Sequence, residues 1–139
     1  MRIRYLATAI LIAIVAASCS QESDDESAEL YRLATDAETF FKADDASASL
    51  ANHQRLVLSL VNCNAGRLPW SERLYAAHEV ALWAKRSYRY SNKLASITVV
   101  FVERHWIPFY WKTSQSYGFA VKGLEQVPMP SSEPASAPR

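Results

Sequence analysis

The passage from Pro69 to Val102 constrains the fold most, because a long helix pattern there meets a strand pattern with almost nothing between them. From Trp70 to Asn92 the chain has neither glycine nor proline, and Ala76, Ala77, Val80, Trp83, Ala84 and Ser87 fall on one side of a helical wheel. Ser71 stands where an N-cap is expected, with Trp70 and Tyr75 at staple positions around it. Lys85, Arg86 and Arg89 gather in the last turns, where cations suit the negative end of a helix. Ser91-Asn92 closes the element. From Leu94 to Val102 the period changes to two: Ile97, Val99 and Phe101 share one face and Thr98, Val100 and Val102 the other. Most of these residues are β-branched, the type that suits a pleated, buried surface. A helix face made mostly of alanine lets another element come close, so this helix is expected to lie on the sheet. Apolar residues on both faces predict a strand covered on two sides.

Three further stretches fill in the expected domain. Leu30, Leu33, Ala34, Ala37, Phe40 and Phe41 recur at three- and four-residue spacing, which predicts an amphipathic helix ending near Lys42. It begins at Ser23, which opens an S-x-x-E capping pattern, or at Ser27. Residues 46–62 carry two patterns at once. Leu56, Leu58 and Leu60 alternate like a buried strand, while Leu50, Val57, Leu60 and Val61 fit a helical face. The absence of glycine and proline over this length favours the helix. Asn62 to Gly66 reads as its stop, with Asn64 or Gly66 able to take a positive φ. After the strand from Leu94, Pro108 marks an edge or a bend, and Phe109-Tyr110-Trp111 and Ser116 to Lys122 read as further strand closed by Gly123. The expectation is an α+β domain: about three helices on one face of a small antiparallel sheet of two or three strands. The sheet starts at Leu94, and Ala76, Val80 and Ala84 face it.

The two ends of the chain read differently. Arg2 and Arg4 precede an uncharged apolar run from Tyr5 to Ala17, and Ala16-Ala17-Ser18 puts small residues before Cys19. The run is too short to span a bilayer, which takes about 20 apolar residues. Residues 1–20 resemble the signal peptide and lipobox of bacterial lipoproteins, with Ala16 where leucine is most usual. The resemblance implies cleavage before Cys19, acyl chains on that cysteine, and export. Ser20 in place of aspartate implies sorting to the outer membrane, with the protein on its periplasmic face. An ordinary secretory peptide cut at the same bond would leave Cys19 a plain thiol. At the other end, four of the six prolines lie from Val127 onward with little apolar bulk, which predicts an extended tail. The expected organisation is a signal peptide over 1–18, an acidic tether over 19–27, one domain over 28–126 and a proline-rich tail over 127–139.

Charge and chemistry narrow the function classes. The formal net charge of +1 hides an uneven distribution. From Cys19 to Asp45 there are nine acidic residues and two basic ones, and from Ala46 to Arg139 five acidic and eleven basic. Either the two parts neutralise each other or a basic surface faces an anionic partner. With Cys19 carrying lipid, Cys63 is left without an internal disulfide partner. It reads as a small buried apolar residue, or as a nucleophile if a base lies near it. The chain has no glycine-rich phosphate loop, no H-E-x-x-H, no C-x-x-C and no G-x-S-x-G. His53, His78 and His105 are scattered. Glu103 and His105 share a strand face by parity, and Cys63 with these two is the only triad that can be assembled. No catalytic residue, metal ligand or cofactor is assigned, and no nucleic-acid partner is expected.

The remaining feature is aromatic density. Trp106, Phe109, Tyr110, Trp111, Tyr117 and Phe119 lie within 14 residues, and Arg104 and Lys112 set cations beside the rings. Trp, Tyr and Arg are the types enriched at interaction hot spots. At least half of these rings would serve simply to fill the core. The expected partner-binding set is Arg104, Trp106, Phe109, Trp111 and Lys112, facing a protein in the periplasm. Two roles fit such a lipid-anchored protein. One is an accessory component of an envelope complex. The other is an immunity- or inhibitor-type lipoprotein that neutralises a toxin or a wall-degrading enzyme.

Overall fold

Leu56, Leu58 and Leu60 are fully buried, while Val57 and Ser59 between them are half-buried. That alternation is the signature of a strand with one covered face, and it decides the stretch that sequence periodicity left open. The computed structural model describes residues 24–126. In chain order the elements are helix α1 (24–41), strands β1 (Asp45–Ala51) and β2 (Arg55–Val61), helix α2 (Trp70–Ser87), and strands β3 (Ser96–His105) and β4 (Trp111–Ala120). Short 3-10 turns at Asn64–Arg67 and Ser91–Lys93 flank α2. The four strands form one sheet in the order β1-β2-β3-β4. β1 pairs with β2 antiparallel, β2 with β3 parallel, and β3 with β4 antiparallel.

Among the described residues the fold is therefore α+β, with two helices on a four-stranded mixed sheet. The expected third helix over 46–62 is instead the β1–β2 hairpin, so the sheet begins at Asp45 and not near Leu94. Its turn explains why no glycine was needed. Asn52 and His53 both take positive φ, at 53° and 58°, and asparagine tolerates that region without a glycine's freedom. The expected all-antiparallel sheet fails for a related reason. With β2 in the sheet, α2 becomes the crossover of a β-α-β unit, and β3 returns parallel to β2.

The core lies between the sheet and the helices. Leu33 and Ala37 of α1, Ala77, Val80, Ala81 and Ala84 of α2, and Ile97 and Val99 of β3 are all essentially inaccessible. Ala77 and Ala81 join Val80 and Ala84 at the sheet, and Ala76 is only half-buried. Phe40 stacks on Trp83 with ring centroids 5.6 Å apart, and Phe41 meets the same indole edge-on at 5.2 Å. Those contacts seal the outer side of the α1–α2 packing. α2 starts at Trp70 with Pro69 at its N-cap, so Ser71 lies inside the helix and does not cap it. On the other face of β3 Thr98 and Val100 stay half-exposed while Val102 is buried, so the expected second cover is present only toward that end of the strand.

Asn62 holds one end of the sheet together. It takes φ 53°, the role expected of Asn64 or Gly66. Its backbone N–H donates to Val102 O at 2.7 Å and its side-chain amide donates to Asp44 Oδ2 at 2.7 Å. Its Oδ1 accepts from the N–H of Arg104 at 2.8 Å. One residue thus ties the start of β1 and the last part of β3 to the end of β2. Gly66 does a different job. A Cβ there would stand 3.2 Å from Cβ of Phe101, so the lack of a side chain lets the turn before α2 sit directly on β3.

Residues 24–27 are helical and belong to α1, which fits the helix start expected at Ser23 and not a tether reaching Ser27. Cys19 and the expected signal peptide, like the expected tail over 127–139, lie outside the described residues.

Candidate functional site at the β3–β4 tip

The apolar alternation of β3 stops at Val102, and the last three residues of the strand are Glu103, Arg104 and His105. Register then fixes what the hairpin presents. His105 pairs with Trp111 and Glu103 with Thr113 on the helix side of the sheet, while Arg104 pairs with Lys112 on the opposite side. The imidazole of His105 stacks on the Trp111 indole, with centroids 3.8 Å apart and planes 11° from parallel. That ring pair closes the hairpin. Beyond it the loop runs through a cis Ile107–Pro108 bond. Trp106 and Tyr110 pack against each other across the loop at 4.8 Å.

The rings at the tip face solvent. Trp106 is 73% exposed, Ile107 88% and Phe109 77%, and Tyr110 and Trp111 are about half exposed. Tyr117 and Phe119, further along β4, pack against the core instead. The aromatic run therefore divides: its first part projects and its last part fills the interior. Exposed apolar side chains clustered in this way are uncommon on a monomer and mark contact sites.

The cations fall on different sides of this tip. Arg104 and Lys112 lie behind the Trp111–His105 pair, and Arg104 approaches Asp45 with Nη1–Oδ2 at 3.8 Å. That pair links the acidic first part of the chain to the basic remainder. On the helix side, a cleft of about 410 Å³ opens beside the tip, bordered by Arg67, Arg73, Phe101, Glu103, Trp111 and Gln115. Arg67 reaches Glu103 at 4.0 Å, and Glu103 also lies 3.7 Å from Nε2 of His105. Arg73 donates from Nε to Leu68 O at 2.9 Å and from Nη1 to the side chain of Gln115. The Tyr117 hydroxyl donates to the same Gln115 oxygen at 3.1 Å, and burial pushes its pKa up. Ile107, Arg67, Arg73 and Gln115 were not among the residues expected here. Ile107 sits inside the aromatic run and was legible as part of it. The other three come from three separate elements, and only the close approach at Gly66 brings them together.

The Cys63-His105-Glu103 arrangement has no activated thiol. Cys63 is buried in the core cluster, and burial pushes its thiol up, which keeps it protonated. Glu103 and His105 are close enough to orient each other, but the imidazole face is taken by Trp111. Among the described residues no group of histidine, cysteine, aspartate and glutamate side chains has the arrangement of a metal site. No helix among them is long and apolar enough to cross a membrane. The tip offers exposed apolar area, with Arg104 and Lys112 on one side of the hairpin and Arg67 and Arg73 on the other. Compared with protein-family models, curated proteins and solved structures, the chain matches none.

Proposed function

We propose that this protein is a small lipid-anchored binding protein of the bacterial cell envelope, held at the periplasmic face of the outer membrane through Cys19. It acts through protein contacts made by the β3–β4 tip. The observation that carries this reading is the placement of the tip relative to the start of α1. Glu26 and Leu30 of α1 share a groove with Leu50 and His53, at the end of the sheet where the β1–β2 hairpin turns. β3 starts at that end, beside Arg55, and runs its ten residues to the tip. At about 3.3 Å per residue the tip stands some 30 Å from that end. An anchor entering through α1 would therefore leave Trp106, Ile107 and Phe109 as the part of the domain reaching furthest into the periplasm.

Two acyl chains would hold the protein stably, whereas one gives only marginal binding. Cys19→Ala is expected to leave unprocessed or soluble periplasmic protein. Unchanged fractionation with the outer membrane would refute the anchor. For the tip, the test is recovery of an envelope protein with the intact lipidated chain. Trp106→Ala with Phe109→Ala should abolish that recovery while the domain stays folded.

A convex tip two strands wide also fits a cleft, which favours an inhibitor- or immunity-type lipoprotein as the second reading. In that case the recovered partner is an enzyme or toxin, and wild-type protein suppresses its activity while the tip variant does not.

A further inference from the structure

The opposite edge of the sheet carries a second feature that the tip does not explain. Among the described residues β1 is an edge strand, paired on one side only. Natural edges are blunted by charged residues, proline, bulges or a covering segment. From Ala46 to Ala51 β1 has no charge and no proline, and its seven pairs with β2 run one-to-one without a bulge.

A groove of about 540 Å³ runs along this edge. One wall is α1, through Glu26, Leu30, Tyr31 and Ala34, and the other is the unbroken run Ala46 to Leu50. Side chains of a strand alternate between faces, so five successive residues line a groove only where it follows the strand's edge. Ala46, Ala48 and Leu50 pack against the core side and leave room beside the helix because two of the three are alanine. Tyr31, 77% exposed, forms the lip.

We propose that β1 and α1 form a strand-addition site, in which an extended, cationic segment of another protein pairs with β1 as a fifth strand. Main-chain hydrogen bonds to the free edge supply affinity. Alternate side chains of the added strand enter the apolar groove, and the others lie over Ser47 and Ser49. Charge selects the occupant. Residues 24–45 carry eight acidic side chains against two basic ones; Glu29 and Asp36 pair with Arg32 and Asp45 approaches Arg104, while Glu26 stands in the groove wall itself. A second copy of this chain pairing β1 to β1 would bring two acidic α1 helices together, which like-charge repulsion opposes. The chain's own segment beyond Gln126 has prolines at 128, 130, 134 and 138, each lacking the N–H that a ladder needs. This inference is independent of the role of the tip.

The test uses a synthetic probe, acetyl-Lys-Val-Thr-Val-Lys-Val-Thr-Val-Lys-amide, and a twin with glutamate for each lysine. Binding to the mature protein is read by fluorescence anisotropy, and the contact is located by amide hydrogen exchange. The lysine probe should slow exchange in β1, and the glutamate twin should bind at least tenfold more weakly. Two further versions of the lysine probe are N-methylated at odd or at even positions. One edge of the added strand makes the ladder, so one methylated version should lose at least tenfold and the other should not. Glu26→Lys should weaken the lysine probe and strengthen its twin, while Trp106→Ala should leave both unchanged. The proposal is overturned by equal binding of the two probes, by protection outside β1 and α1, or by equal loss from both methylations. It is also overturned if sedimentation shows the protein already paired with itself through β1.

Discussion

Within β3 and the loop that follows it, apolar residues have two opposite fates. Ile97 and Val99 are inaccessible and Phe101 nearly so, whereas Trp106, Ile107 and Phe109 stand almost free in solvent. Chemistry does not separate the two groups, since the projecting side chains are at least as apolar as the buried ones. Cover separates them. α2 and the turn at Gly66 lie over β3 as far as Phe101, and the hairpin continues past them. The lesson is that a hydrophobic run specifies a core only where another element reaches it. Beyond that reach the same residue types become a surface, with the Trp111–His105 stack and the bond from Arg104 N–H to Asn62 at its base.

The largest effect should come from the covered side. Val80→Asp puts an unpaired charge between α2 and the sheet and should cost more than about 3 kcal/mol. Chemical denaturation measures it, and a near-normal midpoint would mean that α2 does not pack on this face.

A smaller loss is expected at the junction between the two regions. Asn62→Ala removes a residue suited to positive φ and two side-chain hydrogen bonds, at a cost of about 1–3 kcal/mol. If the junction aligns the tip as described, exchange of amides around Arg104 should rise in this variant more than exchange around Ile97. Uniform change along β3 would show that Asn62 does not position the tip.

Glu29 provides a pH-dependent comparison far from the tip. Arg32, bonded to it through Nε at 2.9 Å, holds its carboxyl below the usual value, and the N–H of Arg89 adds a bond at 2.9 Å. The folded state therefore binds fewer protons than the unfolded chain in the acid range. The stabilisation is complete above the ordinary carboxylate value and is lost as pH falls through the lowered folded value. Glu29→Gln should cost about 1 kcal/mol at neutral pH, and that cost should shrink as pH falls through the lowered folded value. Thermal melts of both proteins across that range check it. A difference that does not shrink with acid would assign the effect to packing.

How far the sequence revealed this arrangement depends on the length of each pattern. α1, α2 and β3 were legible because their periodicities run long enough to outweigh local exceptions, whereas the strand pieces expected at 109–111 and 116–122 are one strand, Trp111–Ala120. β1 and β2 were not. Leu56, Leu58 and Leu60 alternate clearly, but Asn52 and His53 turn the chain without the glycine or proline that would announce a hairpin. β1 is built of alanine and serine, residues with little strand preference, and takes its place through pairing with β2. The parallel relation of β2 and β3 follows only once both strands are known. At the tip, the aromatic and cationic residues were visible as a cluster, but their sides were not. Register puts Arg104 and Lys112 behind the stacked rings, and the close approach of the turn at Gly66 brings Arg67 and Arg73 in front.

The least stability change and the greatest change in binding are expected at the tip itself, and that contrast tests the account most directly. Trp106→Ala and Phe109→Ala remove exposed side chains, so each should shift stability by no more than about 0.5 kcal/mol. At the centre of an interface the same truncations should weaken partner binding by about 2 kcal/mol or more. Trp111→Ala, which also breaks the stack with His105, should affect both. Melting temperature and recovery of the envelope partner are to be measured on the same Trp106→Ala protein. The account predicts an unchanged melting temperature with lost recovery. A melting temperature lowered as for a buried tryptophan, or recovery equal to wild type, would contradict it.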